Sequence, residues 1–109
     1  MSATLNIARE YSRSPAGRFR KDGPATGERF REDFLKPALE SNEYVEVNLN
    51  DTGGYGSSFL EESFGGLIRT RYLTLSEFRR RIKLTASGAH LIYKRAIEAH
   101  VEKAARDLK

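Results

Sequence analysis

Residues 44–50 read YVEVNLN, with Val45, Val47 and Leu49 on one face of an extended chain and Glu46 and Asn48 on the other. Alternation of that length buries one face only as a β-strand. Gly53, Gly54 and Gly56 end the run, and then Phe59, Leu60, Ser63, Phe64, Leu67 and Ile68 follow at helical spacing. A strand that feeds a helix through a glycine turn begins a crossover, so the chain must supply further strands to lie beside residues 45–49.

The flanking sequence supplies them. "IKLTAS" reads as a second strand, preceded by the short helix "LSEFRRR" with Ser76 as its cap. "TLNIAREY" puts Leu5, Ile7 and Arg9 on one side of a weaker terminal strand. The next stretch holds Pro15, Gly17, Gly23, Pro24 and Gly27, too many breakers for a helix, although "GRFRK" has room for a short strand. From Thr26, a cap candidate, Phe30, Phe34, Leu35, Ala38 and Leu39 trace a helix in which Pro37 costs the bond to residue 33 and predicts a kink or a break into two short pieces near Lys36. The strongest helix comes last, with Ala89, Tyr93, Ala96, Ile97, His100, Ala104 and Leu108 on one side. The expected fold is α/β: one domain over residues 1–109, with an interior strand at 45–49 and a partly parallel, mixed sheet.

The chain has no cysteine, which removes disulfides and thiolate metal sites, and "MSATLNIARE" lacks the pattern of a secretory signal. With no apolar run approaching the roughly 18 residues needed to span a bilayer, the expected setting is the cytoplasm, with no membrane partner. The net charge of +4 sits mainly in the second half, where Arg69, Arg71, Arg79, Arg80, Arg81 and Lys83 gather beside Tyr72 and Phe78. Such a cluster suits phosphate groups and marks one candidate function, nucleic-acid association.

Catalytic patterns fail on inspection. The glycine turn lacks a third glycine, because position 59 is Phe59, and no Lys-Ser/Thr follows it to grip phosphate and magnesium. A nucleophile elbow needs glycine at position 60, which is Leu60. His90 and His100 lack metal-binding spacing, and Glu61 and Glu62 point about 100° apart on a helix. Neither an enzyme, a cofactor nor a metal site is expected. Ser58-Phe59-Leu60-Glu61 fits a capping box, which gives Ser58 and Glu61 a structural role. The helix face opposite the apolar stripe, Ser58, Glu62, Gly65 and Arg69, is then left for water or a partner, with Tyr55 in the turn beside it.

"VEVNLNDTGGYGSSFLEESFGGLI", preceded by "GRFRKDGPATGERFREDFLKPAL", resembles the STAS-like domain family of unknown function, relatives of the anti-sigma-factor antagonists. The resemblance spans roughly residues 5–100 and rests most on the serine pair and the aromatic-glycine run after the strand. It implies a small α/β domain with helices mainly on one side of the sheet, acting as a regulatory protein–protein interaction module. In the antagonists a serine at the corresponding helix start is phosphorylated by a histidine-kinase-like ATPase, on which the unphosphorylated domain docks. The matching positions are Ser57 and Ser58; Gly56 stands where an acidic residue usually precedes the pair.

Overall fold

Two crossovers lay three strands side by side and parallel in the computed structural model, which describes residues 1–108. β1 (Ser2–Asn6) and β3 (Ile82–Thr85) flank β2 (Tyr44–Asn48). The strand read most clearly from the sequence is therefore the interior one. Leu5 pairs with Val47 and Val47 with Leu84, so half-buried Leu5 and the buried Val47 and Leu84 fall in a row across one face. The fold class is α/β as expected. The sheet is parallel rather than mixed, because a helix intervenes between each pair of neighbouring strands.

Among the described residues five helices accompany the strands. α1 is a single turn (Ile7–Glu10) where an extended segment was expected: Asn6 Oδ1 accepts from the Arg9 N–H at 3.1 Å, and Glu10 accepts from the Asn6 N–H at 2.7 Å. These local bonds end β1 after Asn6 and bury Ile7 and Ala8. The segment "GRFRK" is not a strand; a 3₁₀ turn forms at Arg20–Asp22. α2 covers 27–41, α3 covers 57–69, α4 is Leu75–Arg81 and α5 is Leu91–Asp107. α4 is capped by Thr74 rather than Ser76, in a capping box closed by Glu77. Thr26 caps α2 as expected, its hydroxyl accepting from the Arg29 N–H. No described helix is long and apolar enough to cross a membrane.

α2 and α3 share an irregularity. Each widens by one residue into a π turn, over Arg31–Leu35 and Glu61–Gly65, where the N–H of Lys36 reaches Arg31 O and that of Gly66 reaches Glu61 O. Pro37 follows directly, and the helix runs on through residue 41 without the expected break. The two helices meet at Gly27, where a Cβ would lie 2.6 Å from Phe59 O and 3.1 Å from Ser63 N. Their apolar sides close over the sheet, with Phe30, Phe59, Phe64, Val45, Val47 and Ile97 almost wholly removed from water. α5 packs along α3 through Ile97, Val101 and Ala104. Val101 is a core residue that the expected helical stripe omitted.

Gly27→Ala should therefore lower unfolding free energy by about 2 kcal/mol, because both close approaches are to backbone, which cannot rotate away. Gly56→Ala, where a Cβ meets nothing within 4 Å, should stay within about 0.5 kcal/mol. Urea melts of the two variants beside the parent check the difference.

Candidate functional site

Parallel strands point their carboxyl ends the same way, so the segments following β1, β2 and β3 gather at one edge of the sheet. They are tied there by backbone and side-chain bonds. Gly53 N–H donates to Arg13 O at 2.8 Å, Leu49 N–H to Thr85 O at 2.8 Å, and Ser87 N–H to Asn50 Oδ1 at 2.9 Å. His90 Nε2 lies 3.0 Å from Thr52 O. The chain turns through Asp51 (φ 71°) and Gly54 (φ 136°), the latter against the Tyr93 hydroxyl, where a Cβ would come within 3.0 Å.

Tyr55 anchors this turn instead of projecting from it. Its hydroxyl donates to Leu49 O at 2.8 Å, and its ring stacks on Phe59 and meets Tyr93 edge-on. Burial pushes its phenol up to about 12. Past Tyr55 the chain emerges. Ser57 and Ser58 are exposed on the first turn of α3, whose cap residue is Gly56. The capping box expected of Ser58 and Glu61 does not form, because the helix starts one residue early and Ser58 is already inside it. Neither serine hydroxyl has a hydrogen-bond partner among the described residues.

Glu61 is drawn elsewhere, into an ionic cluster under the helices. Arg31 Nη1 donates to Glu62 Oε2 at 2.6 Å and to Glu62 O at 2.7 Å, and Arg18 and Arg69 reach Glu62 Oε1 at 3.0 and 2.9 Å. The same two arginines also bond Glu61. Glu62 is 4% exposed and Arg31 6% exposed. Burial alone would raise the Glu62 carboxyl, but the hydrogen bonds from Arg31 and Arg18 outweigh it and hold the group below its ordinary value.

This geometry corrects the expected docking face. Glu62 and Gly65 do not face a partner: Glu62 is enclosed by arginines, and Gly65 is buried beside the backbone of α5, where a Cβ would stand 3.6 Å from His100 O. Residues 62 to 68 are all buried, because α2 and α5 both pack against this part of α3. Gly66 lies under the Arg31 guanidinium, so the low helix surface at both glycines is used by the protein's own elements. Of the five expected docking residues only Ser58 and Arg69 are exposed, and Arg69 is bound to the two glutamates; Tyr55 is half-buried. Half-buried His100 borders a groove of about 550 Å³ with Arg18, Glu61, Arg69 and Lys103, and burial lowers its imidazole against the raising pull of Glu61.

The basic cluster is divided by the fold. Arg69 is held by Glu61 and Glu62 at the end of α3, with Arg71 just after it, whereas residues 79–83 run from α4 into β3 at the amino-terminal edge of the sheet. There Arg79 pairs with Glu102 at 3.1 Å, and Arg81 donates to the carbonyls of Leu39, Asn42 and Glu43. Arg80 and Lys83 are exposed and have no carboxylate partner among the described residues.

Arg18 and Arg31 were missed as site-forming residues. For Arg31 the sequence does hold a signal, since it falls four residues from both Gly27 and Leu35 and thus on the buried stripe of α2. Arg18 stands in an irregular loop and carries none.

Comparison with protein-family models matches residues 26–89, more than half of the chain, to a STAS-like domain of unknown function. No curated protein and no solved structure matches. The matched region runs from the cap of α2 through the serine turn, all of the ionic cluster except Arg18, and β3.

Removing Glu62 would strand Arg31 without its buried partner, so Glu62→Gln should destabilise the fold by about 3 kcal/mol. Because the folded carboxyl is held below its ordinary 4.5, its contribution is present above that value and disappears as pH falls through the folded one. The variant should accordingly show a shallower loss of stability in acid, read from urea midpoints across the range below pH 4.5. Ser58→Ala, which removes neither a cap nor a hydrogen bond, should stay within about 0.5 kcal/mol of the parent.

Proposed function

The chain belongs to this family of STAS-like domains of unknown function, and from that membership we propose that it is a non-enzymatic regulatory module that docks on a protein partner through the turn from Gly53 to Ser58. One observation carries the reading: two serines stand exposed on the first turn of a 57–69 helix, with hydroxyls free of hydrogen bonds among the described residues, on a turn held rigid from beneath. A structural turn has no need of two such hydroxyls. A surface read by another protein does.

Partner switching follows from the same placement. A phosphate on Ser57 or Ser58 adds about −1.5 to −2 charge where free backbone amides and the helix dipole favour an anion, so the domain itself tolerates the group. A partner packed over the turn meets a hydrated dianion and is released. The partner class proposed is a histidine-kinase-like ATPase, which would both dock and supply the phosphoryl group. The docking surface differs from that expected at first: it excludes Glu62 and Gly65, and takes in Ser57, Ser58 and the exposed residues that follow β3, Ser87 to Ala89.

Ser58→Asp should fold with stability equal to or slightly above the parent, because a carboxylate in the first turn suits the dipole. It should nevertheless capture a histidine-kinase-like ATPase from native lysate at least about tenfold less well, as expected when charge is placed within an interface. Capture is quantified by mass spectrometry beside urea melts. Equal capture by two equally stable proteins sinks the docking reading.

A further inference from the structure

Parallel sheets are ordinarily covered on both faces, yet in this protein the helices close only one. The register places the other face residue by residue: Tyr44 beside Ser2, then Thr4, Glu46 and Lys83 in one row, then Asn6, Asn48 and Thr85 in the next. Short polar side chains dominate it. Tyr44, 53% exposed, is its single aromatic group. A protein interface has an apolar core, and this face offers none beyond that ring.

Its charge has one dominant sign. A groove of about 430 Å³ runs along Thr4, Tyr44, Glu46, Arg80 and Lys83, bordered also by Arg79 and Arg81. Arg79 is compensated by Glu102, but Arg80 and Lys83 meet no carboxylate among the described residues, and Arg81 bonds only carbonyl oxygens. Against them the groove holds one carboxylate, Glu46, which accepts from the Thr85 hydroxyl and is the cross-strand neighbour of Lys83, so the four cationic side chains outnumber it. A second groove on the far side of Tyr44 is lined by Glu40 and Glu43 as well as Arg80 and Arg81, so the excess of positive charge lies on the strand side.

We propose that this bare sheet face binds single-stranded nucleic acid. Phosphates lie along Arg80 and Lys83, one unstacked base packs on Tyr44, and the Thr4 hydroxyl is offered to a base edge. A duplex is disfavoured because its bases are not free to stack on the ring, and no described element projects from this face to enter a groove. The site lies at the opposite end of the sheet from Ser57 and Ser58, so it stands independently of the docking reading.

Fluorescence anisotropy of a labelled oligo(dT) of about 15 nucleotides, titrated with the full chain from about 50 to about 300 mM salt, tests the proposal. The parent should bind in the micromolar range with a negative salt slope. Tyr44→Ala should weaken binding about tenfold without altering the slope, and Tyr44→Phe should retain it. The pair Arg80→Ala and Lys83→Ala should reduce the slope by about 1.4, at about 0.7 for each phosphate no longer neutralised. Arg71→Ala, away from the face, should change nothing. No binding at the lowest salt overturns the proposal, as does an affinity indifferent to both Tyr44 variants. A polyglutamate peptide that displaces the oligonucleotide with equal affinity from parent and Tyr44→Ala alike also overturns it, assigning the face to an acidic protein.

Discussion

The buried Arg31–Glu62 pair is the constraint to which the rest of this structure answers. Both groups have left water, and an ion pair in that position is worth having only when every remaining donor and acceptor is met. The protein meets them with two further arginines, with the Glu62 carbonyl and with Glu32, which accepts from the Arg31 Nε. To bring the two side chains together, α2 and α3 each open into a π turn at the residues concerned, and glycines at 27 and 66 let the helices close around them. Such a pair contributes less to net stability than to orientation: replacing it by apolar groups could be neutral, but leaving half of it costs several kcal/mol. The angle and register of α3 against α2 are thereby fixed. With them is fixed the place where α3 begins, which is the place of the two serines.

The polarity of the parallel sheet then divides the molecule into two working edges. At the carboxyl edge three loops brace one another, Tyr55 is locked beneath the turn, and the serines stand free above it. At the amino edge the helix Leu75–Arg81 delivers three arginines directly into the start of β3. One edge offers hydroxyls on a rigid turn, the other a line of positive charge beside an exposed ring. The ionic cluster joining α2, α3 and Arg18 of the preceding loop belongs to neither edge; it neutralises most of its own charge and holds the two helices in register.

Alternation and helical spacing settled the elements. Val45, Val47 and Leu49 could bury one face only as a strand, and Phe59, Leu60, Phe64, Leu67 and Ile68 could bury theirs only as a helix beyond the glycines, so the interior strand and the serine turn were legible from residue order. The basic run at 79–83 was legible as well. Periodicity separates one buried face from one open face, however, and residues 62 to 68 of α3 are all buried. α2 and α5 both pack against this part of the helix, which is why Glu62 and Gly65 are core residues rather than partner-facing ones. The capping box at Ser58 failed for a related reason: local pattern permits Glu61 to turn back to the helix start, but Arg18, 43 residues earlier, and Arg69 bind its carboxylate in the folded protein. Residue order was enough to assign the principal strands and helices, because those depend on neighbours three or four positions away. Which charges are buried emerged only once the chain had folded, because the partner of a buried charge comes from a distant element, and its pull exceeds the local preferences from which the pattern was read.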